Sequence, residues 1–337
     1  MPRQYEVPVV ESSQVGEARR LAVRLAEQAG FGETKQGEVA IVANELANNL
    51  VRHASAGKLL IQIMDSAAHP SIEFISLDAG PGITDIDRCL QDGYSTGGTS
   101  GIGLGAIRRL SAAFDIYSAA AVGTAILARV SMEPQSSYQP TAISFGVVSI
   151  PVQGEEVCGD AWSFLASGCS FRAMIADGLG HGPLAEEAAI AAVRTFEANP
   201  SAEPKFFIEA AHPALNGTRG AAVAAAAYDE AAGRLKYAGI GNIAGTLFTD
   251  ADRHGLVSHN GIVGVQKHRA HQFEYHCPLG GLLIMYSDGL KSRWTLDDHP
   301  GLSTRHPALI AGVLYQTYAR GRDDATVLAV RFGGGKA

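Results

Sequence analysis

Acidic residues at the ends of apolar segments give the second half of the chain its clearest chemical signal. Each lies beside a short apolar run that has the length of a buried strand. One such acid is usually an ordinary loop residue, but acids from several strand ends can meet at one edge of a sheet. The residues are Asp160, Asp177, Asp288, Asp323 and Asp324.

These carboxylates predict a metal site of a particular kind. Oxygen ligands suit Mg²⁺ or Mn²⁺, and the sequence has no compact set of histidines and cysteines for zinc. Two such ions, roughly 3.5–4 Å apart, could generate hydroxide from water and hold a phosphoryl group for in-line attack. The pattern therefore indicates a two-metal hydrolytic site.

The first half of the chain carries a different set of polar residues on a predicted helix. Glu45 and Asn49 are four residues apart, so they share one face of the helix predicted over 35–53. Taken alone, a solvated helix face would explain them.

A second motif follows a predicted strand at 72–77. Asp78 could accept a hydrogen bond from the exocyclic amine of a base, while Gly80 and Gly82 remove side-chain obstruction. A plain Pro-Gly turn is the alternative.

The third motif is the glycine-rich stretch 92–111, which leads into a predicted helix near Gly103. Free backbone N–H groups that feed a helix N-terminus can hold phosphates. The stretch is neither a Walker loop, because the Gly-Lys-Ser/Thr ending is absent, nor a dinucleotide fingerprint, because its glycine spacing differs. The three motifs together predict a nucleotide site.

The periodicity of apolar residues predicts the elements that position these groups. In the first part it predicts helices over 16–29 and 35–53 and strands over 59–64, 72–77, 114–118 and 124–130. In the second part it predicts many short strands with three helices, which favours a β-sandwich flanked by helices in an α+β layout. We expect domains at 1–132 and 141–333, joined by a polar, proline-containing linker at 133–140.

Composition narrows the classes of function. The 337 residues suggest two domains, and the net charge of −7 with no run of Lys or Arg argues against nucleic acid as a partner. No apolar run reaches the ~20 residues of a membrane span, and the N-terminus lacks the apolar core of a signal peptide. The four cysteines are scattered. We expect a cytoplasmic protein with no membrane partner.

Residues 35–130 resemble the GHKL ATPase superfamily, and the stretches NELANNLVRHA, DAGPGI and DGYSTGGTSGIGLGAIRRL resemble its RsbT-type switch kinases. The resemblance implies a GHKL (Bergerat) α/β sandwich that binds ATP with Mg²⁺. It implies that Glu45 orients or deprotonates the attacking hydroxyl, that Asn49 holds Mg²⁺, and that Asp78 contacts adenine. The residues implied to shape and close the pocket are Gly80, Gly82, Gly98, Gly101, Gly103, Gly105 and Thr124.

The second domain resembles the type-2C (PPM) phosphatases in their SpoIIE/RsbX branch, through CGDAW, MIADGLGHG, LKYAGIGN, LLIMYSDGL and GRDDATVLAVR. The resemblance implies that Asp177 bridges two metals, that the Gly178 carbonyl binds one of them, and that Asp160 binds the pair partly through water. It implies that Asp288 and Asp323 hold the second metal. Asp324 is the second choice after Asp323 as a ligand of that metal.

The sequence leaves open the ligands around Asp160 and the role of His181. Ala161–Ser163 departs from the branch, which often has an aromatic residue and another acid there. His181 is either a proton donor or a group that packs the loop, and the turn at Gly239–Asn242 is expected to be structural.

These resemblances predict a bifunctional regulator of a partner-switching pathway. It would phosphorylate Ser or Thr of STAS-domain proteins, either anti-anti-sigma factors or stressosome scaffolds, and would remove phosphate from phosphoserine or phosphothreonine. In the alternative hypothesis only the phosphatase is active, and the GHKL domain is a nucleotide-dependent partner-binding or anti-sigma module. If the GHKL domain is an anti-sigma module, a sigma factor is a further expected partner.

Overall fold

The computed structural model describes residues 3–54, 56–64, 70–90, 103–120, 122–133, 142–250, 252–265 and 269–333. The chain forms two compact units. The N-terminal unit contains Pro2–Gln139 with Thr295–Val313, and the C-terminal unit contains Pro140–Trp294 with Leu314–Ala337. Nearly all of the predicted linker lies outside the described residues, so the limits predicted for the domains and the linker stay predictions.

The N-terminal unit contains one five-stranded antiparallel sheet in the order β1-β2-β3-β5-β4. Its helices and strands lie where apolar periodicity predicts them, except that β1 and the short α3 were not expected. Its elements are β1 (Gln4–Pro8), α1 (Ser12–Gln28), α2 (Glu33–His53), β2 (Lys58–Met64), β3 (Ser71–Leu77), α3 (Ile86–Cys89), α4 (Gly103–Leu110), β4 (Ala113–Ala119) and β5 (Gly123–Ser131).

The helices of this unit cover one face of the sheet. Leu46 of α2 is fully buried, and alternate sheet residues such as Ile61 and Phe74 face the same core. The period of 3.6 in α2 and of two in the strands brings these apolar side chains together. The same helical period turns Glu45 and Asn49 away from the centre of the core, and both side chains are half-buried.

The C-terminal unit stacks two five-stranded sheets. One has the order β13-β10-β9-β8-β7 and the other β12-β11-β14-β15-β6. The elements are β6 (Ile143–Ile150), β7 (Asp160–Ser167), β8 (Ser170–Gly178), α5 (Pro183–Ala198), α6 (Pro204–Ala214), β9 (Ala221–Asp229), β10 (Arg234–Ile240), β11 (Ala244–Phe248), β12 (Arg253–Leu256), β13 (Phe273–His276), β14 (Gly281–Tyr286) and β15 (Ala325–Phe332). The helix α7 (Pro307–Tyr318) belongs to the N-terminal unit as far as Val313 and to the C-terminal unit from Leu314.

Two apolar cores hold the C-terminal unit together. The first lies between the sheets and contains Phe171, Tyr237 and Phe332. The second lies between the β7–β10 sheet and the helices α5 and α6, where Phe196 meets Phe207 edge to face at 5.0 Å between ring centroids. The predicted fold class, a GHKL-like α/β sandwich followed by a β-sandwich with flanking helices, is confirmed.

Thr295–Val313 is the segment of the N-terminal unit that the sequence did not predict. Asp115 of β4 accepts a hydrogen bond from the backbone N–H of His306 at 2.7 Å, directly before α7 begins. Further along α7, a Cβ on Gly312 would lie 3.0 Å from Ile75 of β3. The carboxylate at the helix N-terminus and the small residue at the sheet together let this segment pack closely.

Candidate nucleotide and metal sites

The polar face of α2 meets the N-terminus of α4. A Cβ on Gly103 would lie 2.8 Å from Oε2 of Glu45 and 3.9 Å from Oδ1 of Asn49, so a side chain at this position would strike the carboxylate. Gly105 is buried one half-turn further along α4. The structure thus brings Glu45, Asn49 and the end of the glycine-rich stretch together. Gly98 and Gly101 lie outside the described residues.

Asp78 is held at the end of β3 by two backbone groups. Its Oδ1 accepts hydrogen bonds from the N–H of Gly80 at 2.7 Å and from the N–H of Thr124 at 3.3 Å. Burial raises the pKa of Asp78, while these two bonds and nearby His53 act in the opposite direction. With Oδ1 fixed in this way, Oδ2 makes no hydrogen bond within the described ranges and can accept one from a ligand.

Thr124 is positioned by Ser118, which the sequence analysis missed. The hydroxyls of Ser118 and Thr124 are 2.9 Å apart, and Ser118 Oγ accepts the N–H of Ile83 at 2.7 Å. This network ties β4 and β5 to the loop that follows Asp78. A lone serine in an alternating strand gave no signal of this role.

Three glycines allow the backbone to close around Asp78. A Cβ on Gly80 would lie 2.9 Å from Oδ1 of Asp78, and Gly82 has a φ of +81° that favours glycine. The strictest position is Gly123, which was not among the predicted site residues. Its φ is +107°, and a Cβ there would lie 1.9 Å from the carbonyl oxygen of Asp78.

In the C-terminal unit, the pairing of two strands places two acids face to face. Asp160 at the start of β7 is the direct partner of Asp177 near the end of β8. Asp160 is only 3% exposed, and its Oδ2 accepts a hydrogen bond from the hydroxyl of Ser287 at 2.6 Å. Ser287 directly precedes Asp288, so this bond also ties the end of β14 to the site.

The carboxylates of this site repel one another, so each disfavours the ionised form of its neighbours. Burial raises the pKa of Asp160 to about 7, and repulsion from Asp324 and Asp323 adds to the increase. Burial raises the pKa of Asp177 to about 9, with further contributions from the other four acids of the site. A polyvalent cation would offset this repulsion, and carboxylate oxygens are the ligands that a hard divalent metal prefers.

Asp323 and Asp324 differ in their surroundings. Both oxygens of Asp324 accept backbone hydrogen bonds, from Val152 at 2.7 Å and from Gly159 at 2.9 Å, and its side chain is buried. Asp324 therefore ties the segment before β7 to the start of β15. Asp323 is half-buried and accepts one hydrogen bond, from the N–H of Asp324 at 3.0 Å.

Asp288 and Gly178 are each held by a neighbour. The amide of Asn242 donates a hydrogen bond to Oδ2 of Asp288 at 2.7 Å, so the turn expected to be structural also orients a site carboxylate. A Cβ on Gly178 would lie 2.0 Å from the carbonyl oxygen of Ala185, and only glycine fits there.

Across the described residues, no three His, Cys, Asp or Glu side chains are arranged to hold a single metal ion.

His181 lies on the loop that follows Gly178. Its Nδ1 is 2.6 Å from Oε1 of Glu155, and its side chain is 62% exposed. Its charge favours the ionised forms of Asp323 and Asp324. The loop therefore carries an imidazole at the edge of the acidic site, held by a carboxylate partner.

Comparison with family models divides the chain in the same way. Residues 9–130 match the family described as histidine kinase-like ATPase domain, and residues 167–333 match stage II sporulation protein E (SpoIIE). None of the described helices combines the length and the apolar character needed to cross a membrane.

Two curated relatives match one part of the chain each. The serine/threonine-protein kinase RsbT of Bacillus subtilis (strain 168) is 36% identical over 111 residues, which cover 33% of this chain and 84% of RsbT. The phosphoserine phosphatase RsbX of the same organism is 26% identical over 151 residues, which cover 43% of this chain and 73% of RsbX.

Solved structures support the fold. A structure described as "The bacterial stressosome: a modular system that has been adapted to control secondary messenger signaling" has a TM-score of 0.53 and 25% identity, covering 56% of this chain and 99% of its own. RsbX in complex with magnesium has a TM-score of 0.52 and 21% identity, covering 57% of this chain and 96% of RsbX. The second likeness shows the fold alone.

Gly123 provides a test of the nucleotide site. We expect Gly123→Ala to lower ATP affinity at least about 10-fold, because its methyl group would displace the carbonyl of Asp78 and with it the Asp78 carboxylate. ATP binding is measured by calorimetry. Gly30→Ala is the matched control, because Gly30 also has a positive φ, of +81°, but a Cβ there meets only Met132 at 3.8 Å.

Gly30→Ala should cost a little stability and leave ATP affinity unchanged. Equal loss of ATP affinity in both variants would mean that backbone strain, rather than the position of Asp78, explains the effect.

The raised pKa values predict that metal and protons compete in the C-terminal unit. Because the pKa of Asp160 is about 7 and that of Asp177 about 9, metal-free protein at pH 7 retains protons that a divalent cation must displace. We expect Mn²⁺ binding at pH 7 to release about one to two protons, and Mn²⁺ affinity to rise as pH increases toward 9. Calorimetry in buffers with different ionisation enthalpies measures both.

The stability of the metal-free unit should follow the same groups. Because the pKa values of Asp160 and Asp177 are raised in the folded state, their contribution to the free energy of unfolding is fully present below about pH 4. It is lost as pH rises through about 7 for Asp160 and about 9 for Asp177. Saturating Mn²⁺ should remove this decline in the melting temperature. Proton release that is absent across this pH range would contradict the proximity of the carboxylates.

Proposed function

Since this chain belongs to the RsbT family of serine/threonine-protein kinases through its N-terminal part, and carries a SpoIIE-type domain related to RsbX, we propose that it is a bifunctional partner-switching regulator. The kinase part would transfer the γ-phosphoryl group of ATP to a Ser or Thr of a partner protein. The phosphatase part would hydrolyse the same kind of phosphate ester. The observation that carries the proposal is the presence of both sets of site residues, each positioned by its own unit.

In the kinase reaction, the oxygen of the partner's hydroxyl attacks the γ-phosphorus, the bond to the β–γ bridging oxygen breaks, and ADP leaves. Glu45 accepts the proton of the attacking hydroxyl. Asn49 supports Mg²⁺ at the phosphates, Asp78 accepts a hydrogen bond from adenine, and Thr124 closes that end of the pocket. The contact of Gly103 with Glu45 supports this assignment, because it places the N-terminus of α4 beside the proposed base.

In the phosphatase reaction, the oxygen of water attacks phosphorus and the bond to the Ser or Thr oxygen breaks. A proton from water ends on the Ser or Thr oxygen, so the free hydroxyl and inorganic phosphate form. Two Mg²⁺ or Mn²⁺ ions, when bound, would lower the pKa of the attacking water and neutralise the phosphoryl oxygens. The groups proposed to hold the ions are the carboxylates of Asp160, Asp177, Asp288 and Asp323 with the carbonyl of Gly178. Asp324 holds the backbone of Val152 and Gly159, which suits a supporting role.

The partner we propose is a STAS-domain protein, either an anti-anti-sigma factor or a stressosome scaffold, in the cytoplasm. The likeness to RsbT supports this class of partner. Binding to a sigma factor in the presence of ADP or ATP, without transfer of phosphate, would instead favour the alternative of a nucleotide-dependent anti-sigma module.

Asp177→Asn tests the phosphatase. We expect it to lower Mn²⁺-dependent release of phosphate from a phosphorylated STAS protein at least about 100-fold, because a neutral amide cannot bridge two cations. ATP binding should stay unchanged. The control is Asp229→Asn, at the far end of β9 from the residue that pairs with Asp177. Unchanged turnover in Asp177→Asn would remove the metal assignment.

Glu45→Ala tests the kinase, and the Asp177→Asn chain serves as its background so that product is not hydrolysed. We expect transfer of labelled phosphate to the STAS protein to fall at least about 100-fold while ATP affinity is retained. Glu38→Ala is the control, since Glu38 lies on the same helix in a surface ion pair with Lys35. Absence of transfer even in the Asp177→Asn background would favour the binding-module alternative.

A further inference from the structure

The phosphatase site proposed above has a shortage of positive charge. Five carboxylates surround it, and two divalent cations would neutralise four of them. The substrate then brings a phosphate group with a charge of about −1.5 to −2. A further cation on the protein would offset this charge and could hold the phosphate oxygens that the metals do not hold.

Two basic side chains close to the acids already have partners. His181 is paired with Glu155 at 2.6 Å. Arg320 donates its Nε–H to the carbonyl of Leu290 at 3.1 Å and favours the ionised form of Asp323. Protein partners thus occupy one nitrogen of each side chain, Nδ1 of His181 and Nε of Arg320.

Arg219 differs from these two residues. Its side chain is exposed, and within the described part of the chain it forms no ion pair and no hydrogen bond. Its guanidinium lies against the backbone of the loop that leaves Asp177, since a Cβ on Gly180 would be 2.9 Å from Nη1 of Arg219. Gly180 has a φ of +91°, a backbone conformation that favours glycine.

The backbone on both sides of Arg219 is fixed. Thr218 donates its hydroxyl to the carbonyl of Leu215 at 2.7 Å and accepts the N–H of Gly220 at 3.0 Å. The carbonyl of Gly220 in turn accepts the N–H of Leu179, at 3.0 Å. Arg219 is therefore held next to the loop by its main chain, and its side chain remains free to meet a ligand.

The same loop lies beside the acidic site. The carbonyl of Gly180 would be 3.5 Å from a Cβ on Gly159, the residue directly before Asp160. Gly159 also donates its N–H to Asp324. Gly180 thus contacts Arg219 and also lies close to Gly159, which directly precedes the proposed metal ligand Asp160.

We propose that Arg219 binds the phosphate group of the substrate in the phosphatase reaction. This proposal rests on the proposed phosphatase function. A guanidinium offers parallel N–H donors that match two oxygens of a phosphate, and such charged hydrogen bonds are stronger than neutral ones. The residue would orient the phosphorus for attack and would hold the product phosphate until it leaves.

The test uses the full chain with Mn²⁺, p-nitrophenyl phosphate as substrate and inorganic phosphate as a competitive inhibitor. We expect Arg219→Ala to raise KM and the inhibition constant of phosphate by about 10-fold or more. Arg219→Lys should recover part of this loss, because it keeps the charge but not the paired donors. Free guanidinium ion should also restore part of the activity of Arg219→Ala.

Two controls separate binding from structure. Arg234→Ala removes an exposed arginine from the end of β10 remote from Asn242 and Asp288, and it should leave all constants unchanged. Mn²⁺ affinity and melting temperature of Arg219→Ala should equal those of the wild type. A parallel loss of Mn²⁺ affinity would overturn the proposal in favour of a structural role.

The outcomes also separate this proposal from the function on which it rests. A wild-type chain without Mn²⁺-dependent hydrolysis of any phosphoserine or aryl phosphate would overturn the proposed function. An active wild type together with unchanged KM and phosphate inhibition in Arg219→Ala would overturn the role of Arg219 alone.

Discussion

Repulsion among buried carboxylates is the constraint on which the C-terminal unit depends. One sheet places Asp160 opposite Asp177, and the other sheet adds acids next to the ends of β14 and β15, so unfavourable charge gathers where the two sheets meet. Such an arrangement is stable without metal only where protons remain on some of the acids. A divalent cation bound among these carboxylates would replace such protons and would turn the repulsion into attraction.

The supporting residues show how the fold limits this cost. Asp324 is the acid with both oxygens satisfied by backbone N–H groups, and Ser287 and Asn242 each donate to one other carboxylate. Hydrogen bonds of this kind lower the free energy of a buried negative charge and fix its direction. The nucleotide site uses the same device at lower charge, where two backbone N–H groups hold Oδ1 of Asp78.

Sequence reasoning succeeded where a local pattern determines the structure. Apolar periods predicted most helices and strands. The acids lie next to strand ends as predicted, but they come from two sheets rather than from one edge, and their role as metal ligands stays a prediction. It missed β1, because five residues ending in Pro8 have little pattern of their own and depend on pairing with β2. It also missed Ser118, Gly123 and Asn242, whose roles follow from contacts across the fold, and the place of Thr295–Val313 in the N-terminal unit, which tertiary packing alone decides.

Two opposed activities in one chain have a kinetic consequence. Kinase and phosphatase sites are present in equal number, so changing the amount of this protein cannot by itself change the ratio of the two rates. At fixed ATP and metal, the phosphorylated fraction of a shared partner is then set by the rate constants at each site. A signal that alters this fraction must therefore act on one site more than on the other. If metal binding at the proposed phosphatase site displaces protons, a change in pH or in metal supply would change the rate at that site more than the rate at the proposed kinase site.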